Sequence, residues 1–414
     1  MIRFSKIVLF FTAVVLMAWL LPWGYHFVTV RPDSGPFTLY SCVTDGFVMR
    51  DYRDGNPICY DETGRTYSER EFDSILPLFY YRQLLADGRQ PDTLRGVALT
   101  PQVVSLQSFM FRSYPSDLNK VKPKLYPLLE AMSGRVDLQM PPDVFRMDER
   151  IEFIDMATNR VDESKSERFT QALLVKGFSF PATYVQGNPT TRKEYDEGYM
   201  LLDRDGKLFH LKQLRGRPYV RYVELPDSVR ITDIFVTEFS NRRSYAFLSD
   251  SAHRMYLLTN PGYELKQLPI DRFDPRTEEI MIIADLFHWT VCVSGDRGTR
   301  YYAVDANDYS LCGTLSDPSE VRWTEKVAKW VFPFELSFTS YDDEYVYPRL
   351  TNFSVSALVL NLLLAGIYLL VLRRQMRYTV IPACGVVILG LYLFLPLLVL
   401  RREFAYTVRT EYKI

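Results

Sequence analysis

The sequence predicts a mainly β protein with three transmembrane helices, built on β-propeller-like repeats of about 46 residues, with short helices in the N-terminal part of the soluble domain. Three observations carry that expectation. Apolar runs occupy Ile7 to Val28, Phe353 to Leu372 and Val380 to Leu400, and a hydrocarbon core roughly 30 Å thick needs about 20 apolar helical residues to cross it. The stretch between them is rich in Tyr, Phe, Asp and Arg, the composition of a β-rich folded body. Within that stretch a hairpin pattern recurs at a fixed spacing. The implied order is a cytoplasmic segment (1–6), a transmembrane signal anchor (7–28), an α+β part (29–147), blade-like repeats (148–352), two transmembrane helices (353–372 and 379–400) and a basic tail (401–414).

Arg3 and Lys6 precede the first apolar run, as they would in an export signal. That run exceeds a usual signal core, no small-x-small cleavage site follows it, and Trp23 and Tyr25 stand where interfacial anchors stand. An uncleaved signal anchor is expected, with a cleaved signal peptide as the alternative. Basic residues flanking the three spans do not fix the orientation. With the body outside, Arg3, Lys6, Arg373, Arg374 and Arg377 lie inside, against Arg31, Arg349, Arg401, Arg402, Arg409 and Lys413 outside. The first span usually dominates, so the expected location is the inner (cytoplasmic) membrane with the large domain periplasmic; the basic tail Arg401 to Lys413 argues the other way.

Next, Thr38 to Cys42 and Phe47 to Tyr52 alternate as strands around a Thr44-Asp45-Gly46 turn. Ser68 and Glu71 form a capping box ahead of Phe72, Ile75, Leu76 and Phe79. Pro77 should break that helix, with a second segment running to Ala86 and Gly88 past its end. A further short helix is expected around Pro127 to Ser133, closed by Gly134.

From about Asp148 the pattern is strands and tight turns. The hairpin of Tyr199–Leu202 with Leu208–Leu211 recurs 46 residues on (199 to 245) at Tyr245–Leu248 with Arg254–Leu257, and again (245 to 291) at Val291–Ser294 with Arg300–Ala303. Ile151 to Asp155 with Arg160-Val161 reads as a degenerate earlier copy. Third strands are expected at Tyr219 to Leu225, Tyr263 to Leu268 and Tyr309 to Leu315, and fourth strands at Ile231 to Thr237 and Ile280 to Ala284. A period of about 40 to 50 residues of short antiparallel strands is the signature of propeller blades, which stack because one blade cannot cover its own faces. A twisted open sheet or sandwich of similar hairpins is the alternative.

Of the five cysteines, Cys384 lies in the last span, and Cys42, Cys59, Cys292 and Cys312 lie in the body. Cys292 and Cys312 fall on strands two apart, about 9.6 Å from each other and beyond the roughly 7 Å a disulfide tolerates. Free, buried thiols are expected.

The stretch Glu71-Phe72-Asp73-Ser74-Ile75-Leu76-Pro77-Leu78-Phe79-Tyr80-Tyr81-Arg82-Gln83-Leu84-Leu85, with Pro91-Asp92-Thr93-Leu94 and Ile151-Glu152-Phe153-Ile154-Asp155, resembles an uncharacterised family of membrane-anchored proteins from Bacteroidota built on a domain of unknown function. The resemblance spans the whole chain and implies an accessory part of a membrane transport system of the ABC exporter type. It assigns no residue a chemical role.

The residues themselves give no catalytic, cofactor or metal motif. With 49 basic and 50 acidic residues well mixed (net charge −1), no basic stripe exists for nucleic acid. His26, His210, His253 and His288 lack zinc-protease spacing; His210 aligns with Tyr256 and Tyr302 and reads as an aromatic core slot. Asp203-Arg204-Asp205-Gly206 opens like a calcium loop but lacks the later ligands, so turn chemistry explains it. Asp342, Asp343 and Glu344 read as a solvated juxtamembrane cluster. G-x-S-x-G, P-loop and G-x-G-x-x-G patterns are absent. Inside the membrane Asn361 is the one strongly polar side chain, a helix–helix contact candidate, and Pro382 and Pro396 should kink or end the last helix. The expected function is a non-enzymatic membrane-anchored accessory or binding protein that engages a ligand or another integral membrane protein. The alternative is a membrane-bound hydrolase-type enzyme with its site at a propeller mouth.

Overall fold

The computed structural model describes residues 2–29, 35–53, 56–120, 123–132, 137–295, 298–318, 323–338, 346–371 and 380–400. The chain divides into two compact units, Gly35–Ser319 and a second made of Met1–Ser34 with Glu320–Ile414. These borders differ from the 29 and 352 expected from composition: residues after 319 belong with the helical ends. The helix α1 (Ile2–Thr29) opens the second unit.

The larger unit is a set of antiparallel sheets. Sheet A is a meander of β1 (Phe37–Ser41), β2 (Gly46–Arg53), β3 (Asn56–Asp61) and β4 (Thr66–Tyr67). Two short helices follow, α2 (Glu69–Ile75) and α3 (Tyr81–Ala86). The Ser68–Glu71 capping box is formed, α2 ends before Pro77, and Gly88 takes a positive φ just past α3, all as the residues dictate. Next come the hairpin β5 (Thr93–Leu94) and β6 (Val97–Ala98), α4 (Pro101–Gln107), β7 (Phe109–Ser113) and α5 (Pro115–Asn119). Sheet B holds β8 (Asp143–Met147), β9 (Ile151–Asp155) and β10 (Arg160–Val161), and is followed by α6 (Glu163–Val175). Sheet C holds β11 (Tyr184–Gly187), β12 (Tyr199–Leu202), β13 (Leu208–Leu214) and β14 (Arg217–Val223). Sheet D holds β15 (Ile231–Val236), β16 (Ser244–Asp250), β17 (Met255–Thr259) and β18 (Leu265–Gln267). Sheet E holds β19 (Glu279–Ala284), β20 (His288–Gly295), β21 (Gly298–Asp305) and β22 (Leu311–Pro318), with β7 added beside β19.

Side chains alternate between the two faces of a strand, and sheets C, D and E each meet another sheet on both faces. Phe145 and Phe153 of B pack on Leu201 and Phe209 of C. Met200 and Leu208 of C pack on Leu248 and Tyr256 of D. Phe247 and Leu257 of D pack on Ile282 and Val291 of E, and Tyr301 and Ala303 of E pack on Tyr40 and Phe47 of A. The last sheet thus lies on the first. Sheet A turns its other face, Leu39, Val48 and Cys59, to Phe72 and Leu76 of α2. Among the described residues no core cluster joins A to B.

Several expectations need correction. The strands expected fourth in each repeat, near Ile231 and Ile280, instead open the next sheet by pairing with β16 and β20. The gapless 46-residue frame also fails. The turn that Asp203 closes with Lys207 recurs at Asp250 with Arg254, 47 residues on (203 to 250). A slip of one residue exchanges the faces of a strand. His210 accordingly faces sheet D, whereas Tyr256, its 46-residue counterpart, faces back toward C. The helix expected at Pro127 to Ser133 is absent: residues 127–129 are irregular, with Leu128 and Leu129 buried, and Ser133 and Gly134 lie outside the described residues. In turn α6, started by an Asp162 cap and burying Phe169 and Leu173, lies where only strands were expected.

In the second unit, α1 has 28 residues, about 42 Å at 1.5 Å per residue, and is the one described helix long and apolar enough to cross a membrane. A short helix α7 (Trp323–Val331) and a hairpin of β23 (Glu335–Ser337) and β24 (Arg349–Thr351) precede α8 (Ala357–Val371). With 15 residues, α8 spans about 22 Å. The third apolar run is two helices, α9 (Val380–Leu389) and α10 (Leu391–Val399). Three spanning helices were expected, and the described residues hold one. The last run breaks at Gly390 rather than at either proline: its φ is 56°, and a Cβ there would collide with Asn361. The 373–378 link, Asp342 to Glu344 and the 401–414 tail lie outside the described residues.

Candidate functional site

Sheet A, the α2–α3 link, β7 and β19 enclose a cavity of about 230 Å³. Its walls are largely apolar, with Leu39, Leu76, Phe79, Met110 and Ala284 beside the polar Ser108 and Thr290, and Asp285 is the one carboxyl group among them. Local sequence explains the enclosure. Pro77 stops α2, and Leu76 to Phe79 form the rim as a separate turn closed by the Tyr80 N–H on the Leu76 carbonyl. The Ser41 hydroxyl donates to the Ile75 carbonyl at 2.6 Å, tying the end of β1 to the end of α2. The Tyr40 N–H donates to Thr290 Oγ1 at 2.9 Å, tying β1 to β20.

Asp285 sits in the turn between β19 and β20, where its Oδ1 accepts from the N–H groups of Phe287 (2.7 Å) and His288 (2.8 Å). Burial nevertheless pushes its carboxyl up to about 6, against the pull of those two donors and of Arg95. Burial, reinforced by Asp285, pushes the Cys42 thiol up to about 12, so it stays protonated at neutral pH and is a poor nucleophile. Arg95 reaches in from the tip of the β5–β6 hairpin, where it takes φ 47° and Gly96 takes φ 77°. Its Nε donates to the Cys42 carbonyl at 3.0 Å, Nη2 pairs with Asp45, and Nη1 lies 3.4 Å from His288 Nε2. His288 is 4% exposed, its Nδ1 has no hydrogen-bond partner, and burial with the nearby Arg95 holds the ring neutral.

One ligand atom each from His288, Asp305 and Cys312 lies within 4.8 Å of the others. Cys312 gets there as the extra residue of a bulge between Gly313 and Leu311, which pair with Ala303 and Val304. The donor set suits a soft divalent cation, but the Arg95 guanidinium beside the imidazole opposes one.

A second polar group lies between sheets C and D. Lys193 Nζ touches Asp196 and Glu238, both at 2.6 Å, while Lys212 Nζ meets Glu197 at 2.6 Å. Burial raises the Glu238 carboxyl, an effect the Lys193 ammonium opposes. His210 is fully buried; its Nε2 faces the Glu197 carbonyl, which can only accept, and its Nδ1 meets Tyr263 Oη at 2.8 Å. Both ring nitrogens are therefore used, and burial pushes the ring down to about 3. The loop carrying the acids needs Gly198, since at φ 65° a Cβ would strike the Leu211 carbonyl.

Asp203 Oδ1 accepts from the N–H groups of Asp205 and Lys207, and its Oδ2 accepts from that of Ser179, so its oxygens serve the turn. Asn361 is fully buried in α8 and donates to the Val387 carbonyl at the end of α9 (3.0 Å), beside the Gly390 break. The five cysteines are unpaired; Cys42 and Cys59 are buried, whereas Cys312 is exposed rather than buried as expected. Nothing in the sequence singled out Asp285 or Arg95. The Asp285-x-x-His288 spacing ahead of an apolar strand was the available signal, but nothing local announces the wall formed by residues nearly 250 positions apart.

No curated protein sequence matches the chain. Among solved structures it is similar to the WD40 domain of SCAP from fission yeast, at 11% identity, TM-score 0.30 and coverage of 76% of this chain and 79% of that one. It is also similar to the Cps50 (Swd1) β-propeller domain of Myceliophteria thermophila, at 10% identity, TM-score 0.22 and coverage of 70% and 89%. PorZ, a surface component of the type-IX secretion system of Porphyromonas gingivalis, matches at 12% identity and TM-score 0.21; 69% of this chain is covered but only 32% of that one. Scores this low carry no functional argument. The family profile described as "Domain of unknown function (DUF4857)" matches residues 37–304, more than half of the sequence, and the chain belongs to that family.

Proposed function

We propose that the chain is a non-enzymatic, membrane-anchored accessory protein whose β-rich unit holds an apolar side chain of a membrane partner in the cavity between sheets A and E. The observation that carries this reading is the cavity itself, lined largely by apolar side chains with Asp285 as its one carboxyl group. At about 230 Å³ it is smaller than the roughly 300–1,000 Å³ sites that enclose drug-sized ligands, and it suits one or two side chains of a protein. Asp285 supplies an acceptor for an N–H on the same segment. The groups around it favour binding over catalysis: the Cys42 thiol is protonated and Arg95 is already committed to Asp45. The resemblance noted in the sequence suggests a place in a transport assembly, and the dominance of the first apolar span favours a periplasmic β-rich unit.

The test is capture of membrane partners by full-length protein in mild detergent. Met110→Trp, at the exposed rim, and Asp285→Asn should each cut recovery of the partner at least about tenfold, the effect of losing roughly 1.4 kcal/mol or more at an anchor pocket. Recovery unchanged by both substitutions, or a strictly lone monomer, would overturn the proposal.

A further inference from the structure

The helix α7 divides its surface into three sectors. Thr324 and Ala328 are buried against the rest of its unit, with the Thr324 carbonyl accepting from Tyr25 Oη at 2.8 Å and Ala328 clustered with Ala18, Phe332 and Tyr392. Glu325, Lys326 and Lys329 form an exposed polar sector. Between them Trp323, Val327 and Trp330 recur at helical spacing on one stripe, and they are left uncovered, with Trp323 72% and Trp330 53% exposed. A soluble surface seldom leaves two tryptophans on one stripe in water.

Two contacts fix where this stripe lies. Tyr25, one end of the Thr324 bond, belongs to the last turn of α1. At the other end of α7, the Ser354 hydroxyl donates to the Lys329 carbonyl at 2.5 Å, just before α8 begins. The helix therefore rests where α1 leaves its apolar run and α8 enters its own. Trp23 and Phe27 of α1 and Phe353 and Val355 ahead of α8 are also exposed there, so the stripe continues an apolar surface.

We propose that α7 is an in-plane membrane helix, with Trp323, Val327 and Trp330 seated in the headgroup layer of the bilayer and Lys326 and Lys329 against anionic headgroups. Lipid fits this stripe better than a protein partner does. Tryptophan prefers the level between acyl chain and headgroup, lysines flank the stripe, and the surface runs on into a helix of spanning length. The inference rests on the reading of α1 as the membrane anchor.

The experiment compares the full chain with its Trp323→Phe/Trp330→Phe variant in phosphatidylcholine–phosphatidylglycerol vesicles whose acyl chains carry bromine at a shallow or a deep position. The difference between the two proteins isolates the fluorescence of this pair from that of Trp19, Trp23 and Trp289. Shallow bromines should quench the difference signal at least about twofold more than deep ones, and Lys326→Glu/Lys329→Glu should weaken that quenching. A difference signal open to aqueous iodide and untouched by either bromine would overturn the proposal, and is what a stripe reserved for a protein partner would give. Release of the whole chain from vesicles by alkaline carbonate would instead sink the anchor reading itself, which makes the two failures distinguishable.

Discussion

Two polar regions of the β-rich unit differ in how their buried groups are satisfied. Between sheets C and D, Lys193 pairs with Asp196 and Glu238, Lys212 pairs with Glu197, and both nitrogens of His210 are bonded. Between sheets A and E, His288 keeps an unpartnered Nδ1, and Asp285 is carried well above its ordinary range beside a cavity. Buried polar groups in folded proteins are nearly always paired, and exceptions mark places where something other than stability has shaped the chain. The first region has the features of a structural clamp and the second those of a site.

The sharpest way to break that contrast is at Lys193. Lys193→Met leaves Asp196 and Glu238 buried without their cation, and such a loss costs about 3–5 kcal/mol. Chemical denaturation should show that drop; a loss below about 1 kcal/mol would mean the cluster is not a clamp. His210 offers a second measure of somewhat smaller size. Its ring takes a proton near 6.5 when unfolded but only near 3 in the fold. Between those values the unfolded chain binds the extra proton, so the stability His210 provides is complete above pH 6.5 and is lost as pH falls. In His210→Phe the pH dependence should flatten by up to about 3 kcal/mol between pH 6.5 and 4, read from denaturation midpoints. An unchanged slope would show that the ring is not held neutral.

The same contrast shows what a sequence can and cannot disclose. Local chemistry was legible: the Ser68–Glu71 box, the Pro77 break, the Thr44-Asp45-Gly46 turn and the paired strands at residues 199–211 all formed where their residues placed them. Register was not, because the 46-residue similarity followed residue type while the hairpin turns set a 47-residue step. Hydropathy likewise counted apolar length but could not foresee that Asn361 and Gly390 would meet and break the last helix. The cavity was invisible for a related reason. Leu39, Leu76, Met110 and Asp285 are brought together only when sheet E folds back on sheet A.

Asp285 gives the smallest effect and the most discriminating one. Its carboxyl titrates near 3.8 in the unfolded chain and near 6 in the fold. Between those values the native state holds a proton that the unfolded chain has released, so stability falls as pH rises through this window and the cost is complete above pH 6. Asp285→Asn keeps an Oδ1 acceptor for the N–H groups of Phe287 and His288 while removing the charge. The variant should therefore be more stable than the parent by about 1–2 kcal/mol at pH 7.5, with the gain gone below pH 3.8. Thermal melts across that range measure it directly. A variant that is firmer yet captures less partner would show a charge kept at the expense of stability because binding needs it. Loss of stability at pH 7.5 would instead place Asp285 with Lys193 and His210, as part of the scaffold, and the distinction between clamp and site would fall.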